Sequence, residues 1–178
     1  MKIAITGSTN GIGLALSEVY QKRGHDIVPI ATRLGDDIRD IGQTVDKIKP
    51  CDMFINNAQQ DYAQADLTFA MHKEWNGVEG KHIISISTMS TLMHDVQYKD
   101  LHYVSQKHAL ENAMINLAQH ALWPQMILVK PGEVNTGDHS GPLAGDPNIW
   151  AEKLVSILEI AGPEFKVYEL SLGVDYTN

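Results

Sequence analysis

The stretch TGSTNGIG, residues 6–13, lies near the start of the chain, directly after the short apolar run IAI. Its three glycines follow the spacing G-x-x-x-G-x-G, and an amphipathic segment comes next. A strand that runs into such a turn and then into a helix presents free backbone N–H groups and the positive end of a helix dipole. The stretch is therefore either an ordinary tight turn or a loop at which the backbone approaches a phosphate.

The rest of the chain alternates between short apolar runs and longer amphipathic segments. Strands are predicted at KIAIT, DIVPIATR, CDMFINNA, KHIISIS, QMILVKPG and FKVYELSLG. Helices are predicted at GLALSEVYQKRG, GQTVDKIKP, YAQADLTFAMHKEW, YVSQKHALENAMINLAQHAL and WAEKLVSILEIA. This alternation predicts an α/β fold with a doubly wound parallel sheet, covered by helices on both faces in three layers. Pro29 weakens the second strand unless that strand lies at the edge of the sheet.

The composition of the chain excludes several classes of protein. A chain of 178 residues, 43% of them hydrophobic, is long enough to bury one core, so we predict a single domain over residues 1–178. The net charge of −8 argues against binding to nucleic acid or to an anionic membrane surface. No apolar run has the length of a membrane span, and the N-terminus lacks the layout of a signal peptide.

The cysteine and histidine residues restrict the class of protein further. The single cysteine, Cys51, has no partner for an internal disulfide, which favours a reducing compartment and a cytoplasmic location. The eight histidines are scattered without the helical pairs that zinc sites show. We therefore predict an acidic, soluble, cytoplasmic protein without a metal site.

The stretch YVSQK places Tyr103 and Lys107 four residues apart near the start of the longest predicted helix. This spacing puts both side chains on one face of the helix. A lysine ammonium beside a phenol stabilises the phenolate and lowers the pKa of the tyrosine. Such a tyrosine can exchange a proton with an alcohol or carbonyl oxygen. Taken alone, the pair is better explained as an ordinary surface contact on an amphipathic helix.

Five motifs, in this order along the chain, resemble those of the short-chain dehydrogenase/reductase family: TGSTNGIG, INNAQ, HIISIST, YVSQK and KPGEVNT. They correspond to the glycine-rich cofactor turn, the N-N-A-G strand end, the hydroxyl-bearing strand before the tyrosine, Y-x-x-x-K and the P-G-x-x-x-T turn of the family. The resemblance extends over nearly the whole chain, which is shorter than is usual for the family. It implies a Rossmann-like domain that transfers hydride between a nicotinamide dinucleotide and a small-molecule carbonyl or alcohol.

The resemblance implies a role for individual residues. Tyr103 would be the general acid/base, and Lys107 would hold the nicotinamide ribose and lower the pKa of the tyrosine. The cofactor turn would comprise Gly7, Ser8, Thr9, Asn10, Gly11, Ile12 and Gly13. The other implied cofactor contacts are Asp37 and Ile38 beside the adenine, Asn57 and Ala58 along the adenosine ribose, and Pro131, Gly132, Val134 and Thr136 around the nicotinamide.

The end of the second predicted strand bears on the choice between the two nicotinamide cofactors. A carboxylate there would bind a free ribose 2′-hydroxyl and repel a 2′-phosphate. This chain has Thr32 at about that position and Arg33 after it, and a guanidinium is well shaped for phosphate. Asn10, however, stands where many phosphate-binding members carry a basic residue. The sequence favours NADP(H) over NAD(H).

The chain departs from the family pattern at several positions. Gln59 replaces the glycine of N-N-A-G, and alignment leaves either Thr88 or Ser90 as the hydroxyl that polarises the substrate. No asparagine lies between Ala58 and Trp75, where the family has one that relays protons to the lysine. The segment after KPGEVNT is short for a substrate lid. These departures favour a second hypothesis, a non-catalytic dinucleotide-binding or regulatory protein on the same fold.

Two further expectations concern surfaces. The segment ALENAMINLAQHAL is apolar over much of its circumference, which predicts a homodimer or homotetramer formed through this helix. His94 and Asp95 precede Tyr103 and are expected at the surface, with the substrate mouth as the alternative.

Overall fold

The computed structural model describes residues 1–93, 100–120, 122–137, 141, 144–160 and 167–173. The strands are β1 (Lys2–Thr6), β2 (Asp26–Ile30), β3 (Met53–Asn56), β4 (His82–Ile86), β5 (Gln125–Pro131) and β6 (Glu169–Leu172). The α-helices are α1 (Gly11–Lys22), α2 (Ile41–Ile48), α3 (Ala63–Trp75), α4 (Leu101–Leu117) and α5 (Pro147–Ile160). Two short 3-10 helices cover Thr32–Leu34 and Met89–Leu92.

The six strands form one sheet in the order β2-β1-β3-β4-β5-β6, and every neighbouring pair is parallel. The predicted α/β fold with a doubly wound parallel sheet is therefore confirmed. The winding reverses at β1, because β2 lies on one side of it and β3 on the other. In open parallel sheets, ligands bind beyond the carboxyl ends of the strands at such a reversal. The turn TGSTNGIG leaves β1 at this point.

Helices cover the sheet on both faces, which gives the three predicted layers. Ile3 and Ile5 of β1 belong to one buried cluster with residues of α1 and α5, such as Leu16 and Leu154. Ala4, between them, belongs to a second cluster, on the face covered by α2, α3 and α4. Successive residues of a strand point to opposite faces, so a strand buried on both faces must be apolar at each position. This explains the continuous apolar run IAI at residues 3–5.

The second strand carries its proline at the edge of the sheet, as the sequence requires. Pro29 lies opposite Ile5 of β1, and β2 has no other neighbouring strand in the sheet. The helix α4 begins at Leu101 and ends at Leu117, so it starts and stops slightly before its predicted bounds. Among the described helices, none combines the length and the apolar character needed to cross a bilayer. His94, Asp95 and much of the predicted lid lie outside the described residues.

Candidate functional site

The turn after β1 adopts a conformation that requires its glycines. Gly7 and Gly11 have φ angles of +70° and +51°, in the left-handed region that favours glycine. A Cβ added to Gly13 would lie 2.2 Å from the carbonyl oxygen of Gly7. The first turn of α1 is therefore folded tightly against the end of β1. The N-terminal end of α1, with its N–H groups, faces the space above the carboxyl ends of the strands.

The end of β3 is tied to this turn by Thr6. The hydroxyl of Thr6 accepts hydrogen bonds from the backbone N–H of Asn57 at 2.9 Å and of Ala58 at 3.1 Å. The side-chain amide of Asn57 donates to the Thr6 carbonyl at 3.0 Å. Asn57 and Ala58 thus border the glycine turn. The side-chain amide of Asn57 connects the end of β3 to the end of β1 by its hydrogen bond to Thr6.

A cavity of about 360 Å³ opens beside the turn and the end of β2. Its walls include Gly7, Thr9, Asn10, Arg33, Ile38 and Ala58. Six residues assigned to cofactor binding from the sequence therefore line one space. The side chain of Arg33 is exposed, and it has no hydrogen bond or ion pair with any other described residue. Its guanidinium remains available to an anion in this cavity.

The acidic residue at this cavity is Asp36 rather than Asp37. The carboxylate of Asp36 is buried, accepts a hydrogen bond from the Ala31 N–H at 3.2 Å and pairs with Lys47. Asp37 instead pairs with Arg39, and the hydrogen bonds from Arg39 lower the pKa of that carboxyl. The sequence has two consecutive aspartates, and only the fold of the loop decides which one turns inward.

One hydroxyl of the turn is left without a partner. Ser8 is buried, and its Oγ makes no hydrogen bond within the part of the chain that the structure describes. A buried hydroxyl normally has a partner, because an unmade hydrogen bond costs free energy. An oxygen-rich ligand at the glycine turn would supply one. The open cavity, the glycine turn and this hydroxyl together fit a dinucleotide.

The segment after β5 lies on the other side of the same turn. The Cγ2 of Thr136 would be 2.9 Å from a Cβ added to Gly11, so Thr136 lies against the turn. A second cavity, of about 320 Å³, is bordered by Asn10, Gly11, Asn135 and Thr136. Val134 is buried and forms a single bridge with Gly145. Pro131 ends β5, and the N–H of Gly132 donates to the Leu172 carbonyl at 2.9 Å.

Lys107 is buried at the carboxyl ends of the central strands. It is 3% exposed, and its Nζ donates to the Gln64 Oε1 and to the Ile86 carbonyl, each at 2.9 Å. The Nζ lies 5.6 Å from the centroid of the Tyr103 ring. Burial lowers the pKa of Lys107 to about 8, while the charge of Glu111 acts in the opposite direction.

The pKa of Tyr103 is raised in the structure, whereas from the sequence the neighbouring lysine was expected to lower it. Burial raises the pKa of the phenol, and a hydrogen bond with the Thr88 side chain acts against this rise. The physical reason is that Lys107 directs hydrogen bonds to Gln64 and Ile86, and its Nζ lies over the tyrosine ring. In this structure the phenol is therefore protonated at neutral pH.

Proximity to Tyr103 distinguishes the two candidate hydroxyls. The Thr88 side chain caps the short 3-10 helix Met89–Leu92 and lies close enough to the Tyr103 phenol to act against the rise in its pKa. Ser90 contacts Thr88 instead: the Thr88 hydroxyl donates to the Ser90 Oγ at 3.1 Å, and the Ser90 N–H donates to the Thr88 Oγ1 at 3.2 Å. The structure thus brings together Thr88, Tyr103 and Lys107, with Ser90 next to them.

Gln64, in the first turn of α3, is a site residue that sequence reasoning missed. It is 2% exposed, and its Nε2 donates to the carbonyls of Asn56 at 2.7 Å and Ile86 at 2.9 Å. Because carbonyls only accept, these bonds turn the Oε1 of Gln64 toward Lys107. The signal in the sequence is an amide side chain shortly after INNA, in a helix where no asparagine is present.

The glutamine that replaces the family's glycine also has a structural partner. The side chain of Gln59 donates to the Oε1 of Gln106, and the Nε2 of Gln106 lies 3.0 Å from the Nδ1 of His102. Gln59 therefore links the end of β3 to α4. Within the described ranges, no group of three or more His, Cys, Asp or Glu residues is placed to hold a metal ion.

Among the known proteins compared with this chain, only solved structures match it. No protein-family model matches the chain, and no curated protein matches it in sequence. The NADPH-dependent 3-quinuclidinone reductase from Rhodotorula rubra matches with a TM-score of 0.76 at 17% identity, over 98% of this chain and 89% of that one. A short-chain dehydrogenase/reductase from Vibrio parahaemolyticus gives a TM-score of 0.78 at 14% identity, over 97% and 99%.

A third solved structure contains ligands. The L-sorbose reductase from Gluconobacter frateurii, in complex with NADPH and L-sorbose, matches with a TM-score of 0.72 at 18% identity, over 98% of this chain and 94% of that one. These likenesses show that the chain has the fold of the short-chain dehydrogenases/reductases.

Proposed function

We propose that the chain is a short-chain dehydrogenase/reductase that uses NADP(H) to interconvert a small-molecule carbonyl and its alcohol. The observation that carries the proposal is the meeting of Thr88, Tyr103 and Lys107 at the carboxyl ends of the strands, beside the glycine turn. Simple nucleotide binding does not require a phenol placed close to a hydroxyl and next to a buried ammonium. Structural neighbours solved with NADPH support the choice of cofactor class.

The residues near the glycine turn would hold the dinucleotide. The N-terminus of α1 and the glycine turn suit a pyrophosphate. Arg33, exposed at the cavity beside the turn, suits the 2′-phosphate that distinguishes NADP(H). Ile38 and Ala58 border the same cavity and are proposed to contact the adenosine. Asp36 rather than Asp37 is proposed as the acidic neighbour of Ile38, because its buried carboxylate lines the cavity.

The nicotinamide, when bound, supplies or accepts the hydride at the substrate carbon. The side chains of this chain handle the substrate oxygen. Thr88 would hydrogen-bond that oxygen and orient it, since its hydroxyl already lies against Tyr103. Tyr103 would give its proton to the oxygen during reduction and take it back during oxidation. Lys107 would stabilise the resulting phenolate by its positive charge.

The protonated phenol of Tyr103 is the form that takes part in reduction. A protonated phenol is ready to donate, whereas oxidation requires a phenolate to accept the alcohol proton. The same observation favours the second candidate, a non-catalytic dinucleotide-binding protein, since an untuned phenol is a poor base. The two candidates predict the same binding of nucleotide and differ in turnover.

The deciding experiment compares the wild type with Tyr103→Phe. We would titrate both proteins with NADPH by nicotinamide fluorescence and then assay NADPH consumption with a panel of small ketones and aldehydes. The enzyme proposal expects equal NADPH affinity and a loss of turnover of roughly 10²-fold or more in the variant. Wild-type binding without turnover on any carbonyl supports the non-catalytic candidate, and turnover that survives in Tyr103→Phe contradicts the proposed role of the phenol.

We also propose a cytoplasmic homo-oligomer that associates through α3 and α4. Phe69 on α3 and Ile115 on α4 are 52% and 49% exposed, and the two helices that carry them pack against each other. Light scattering of the purified protein would show a dimer or tetramer. A monomer at micromolar concentration would contradict this part of the proposal.

A further inference from the structure

A buried ion pair lies behind the candidate site and serves no role in the proposed chemistry. The Nζ of Lys130, on β5, lies 3.1 Å from the Oε2 of Glu111 on α4 and 2.9 Å from the Oε1 of Glu169 on β6. Lys130 and Glu111 are 5% and 7% exposed. Burying such a pair seldom adds net stability compared with apolar residues, so its presence calls for another reason.

The second oxygen of Glu111 shows what that reason is. The Ser87 hydroxyl donates to the Oε1 of Glu111 at 2.6 Å, and the Thr91 hydroxyl donates to the same oxygen at 2.8 Å. Ser87 and Thr91 stand on either side of Thr88 in the chain. The single proton of the Thr91 hydroxyl is shared with the Thr88 carbonyl, which lies 2.8 Å from the Thr91 Oγ1. One carboxylate oxygen therefore anchors both ends of the segment 87–91, which carries the hydroxyl in contact with Tyr103.

The two carboxylate oxygens of Glu111 have different partners. The Oε2 faces the Lys130 ammonium, and this leaves the Oε1 to accept from the two hydroxyls. Hydrogen bonds to an ionised acceptor are shorter and stronger than those between neutral groups. Burial alone would lower the pKa of Lys130, but the hydrogen bonds with Glu169 and Glu111 outweigh it and raise the pKa. The lysine is therefore charged, and it keeps the carboxylate oriented.

We propose that Glu111, oriented by Lys130, is a positioning residue that fixes the segment 87–91 so that the Thr88 hydroxyl lies against the Tyr103 phenol. Neither Glu111 nor Lys130 touches the substrate in this arrangement. The proposal rests on the proposed function only in that Thr88 and Tyr103 are the groups that act on the substrate.

Glu111→Gln separates positioning from simple packing. The amide keeps the shape of the carboxylate, but its Oε1 must face the Lys130 ammonium, and its Nε2 then faces the two hydroxyls. The Ser87 hydroxyl loses its acceptor, and the Thr91 hydroxyl keeps only the Thr88 carbonyl. Lys130→Met in the same chain removes this constraint, and the amide oxygen can turn toward Ser87 and Thr91. Glu169→Gln is the matched control, because it alters the same lysine pair without contact to the segment 87–91.

The first readout needs no turnover. In methyl spectra of threonine-labelled protein, Glu111→Gln is expected to shift the signals of Thr88 and Thr91 and to leave Thr44, on α2, unchanged. The double variant Glu111→Gln/Lys130→Met is expected to return the Thr88 signal toward its wild-type position. Glu169→Gln should leave it in place. An unchanged Thr88 signal in Glu111→Gln overturns the proposal.

The second readout is kinetic. Glu111→Gln is expected to lower kcat at least tenfold with NADPH affinity within twofold of wild type, and the double variant to recover most of the loss. Equal losses in kcat and NADPH affinity indicate general unfolding and overturn the proposal. If Glu111→Gln does not fold, Thr91→Val tests the same anchor with the ion pair intact, and an unmoved Thr88 signal there also overturns it.

The two readouts distinguish the proposed enzymatic function from the proposed positioning role of Glu111. A Thr88 shift in a protein that turns over no carbonyl supports positioning and contradicts the enzyme. Turnover in the wild type with no Thr88 shift in either variant supports the enzyme and contradicts positioning.

Discussion

The Nζ of Lys107 lies 2.9 Å from the Oε1 of Gln64, and the Gln64 amide is held in this orientation by two backbone carbonyls. The family's asparagine in this region is missing from the chain, and this glutamine now makes a direct contact with the lysine. The contact joins α3 to α4 across the end of β4, so the position of the ammonium depends on a residue more than forty places earlier in the chain.

Gln64→Leu is expected to destabilise the protein and to lower the pKa of Lys107 below about 8. The leucine leaves the Asn56 carbonyl without the Gln64 donor, and it leaves the buried ammonium with the Ile86 carbonyl as its remaining acceptor. An unsatisfied buried group costs about 1–3 kcal/mol. Urea unfolding at neutral pH measures the loss. Gln21→Leu, at an exposed position on α1, is the control and should change the free energy of unfolding little. Equal effects of the two substitutions would show that the Gln64 contact has no energetic importance.

The stability of the protein is expected to rise with pH as Lys107 loses its proton. The folded-state pKa of about 8 is below the ordinary value of 10.5, so the unfolded chain binds more protons between these two values. The free energy of unfolding then increases with pH across this window, and the cost of burying the charge is fully present below pH 8. Urea midpoints at pH 7.5 and 10 measure the effect.

Lys107→Met provides the reference for that measurement, because it removes the titrating group and retains most of its volume. We expect the rise in stability between pH 8 and 10.5 to be smaller in the variant than in the wild type. The same pH dependence in both proteins would mean that Lys107 keeps an ordinary pKa in the folded state.

Arg33→Ala is expected to weaken NADPH binding roughly tenfold, because the guanidinium is proposed to contact the 2′-phosphate through charge-assisted hydrogen bonds. NADH binding should change by less than about twofold, since NADH lacks that phosphate. Arg39→Ala is the control: Arg39 is paired with Asp37, which does not line the cavity. Fluorescence titrations give the affinities, and the same loss for both nucleotides would argue against a phosphate contact by Arg33.

Gly13→Ala is expected to abolish dinucleotide binding and to destabilise the fold. The added methyl group would lie 2.2 Å from the Gly7 carbonyl oxygen, so the backbone of the turn has to move. Gly42→Ala, on α2, is the matched control, because the nearest atom to its Cβ is 3.8 Å away. There the same change should stabilise the helix by roughly 0.5–1 kcal/mol. Thermal unfolding and NADPH titration of both variants test the difference.

The predictions made from the sequence succeeded where local pattern determines structure. The run IAI, residues 3–5, is apolar at each position because β1 is covered on both faces, and that pattern predicts a central parallel strand. The proline of β2 predicts an edge, and the strand is at the edge. The α/β fold is confirmed, whereas the single domain and the cofactor and catalytic residues remain predictions.

Details of the candidate site depend on contacts between distant segments, and no local pattern encodes them. Asp36 and Asp37 are chemically identical, and the loop conformation alone turns Asp36 inward. Gln64 contacts Lys107 because α3 and α4 pack side by side, which the spacing of residues along either helix does not predict. The pKa of Tyr103 was expected to fall because of a nearby charge, but it depends on the burial that the fold imposes.

The proline at the edge of the sheet affects more than the local strand. Pro29 offers no N–H, so the outer margin of β2 is a poor template for a further strand. At the opposite margin, β6 pairs only with β5 among the described strands, and its sequence ELSL contains no proline. The two margins of the described sheet therefore differ in what they offer to a further strand: β6 has a backbone N–H at every residue, whereas Pro29 removes one donor from β2.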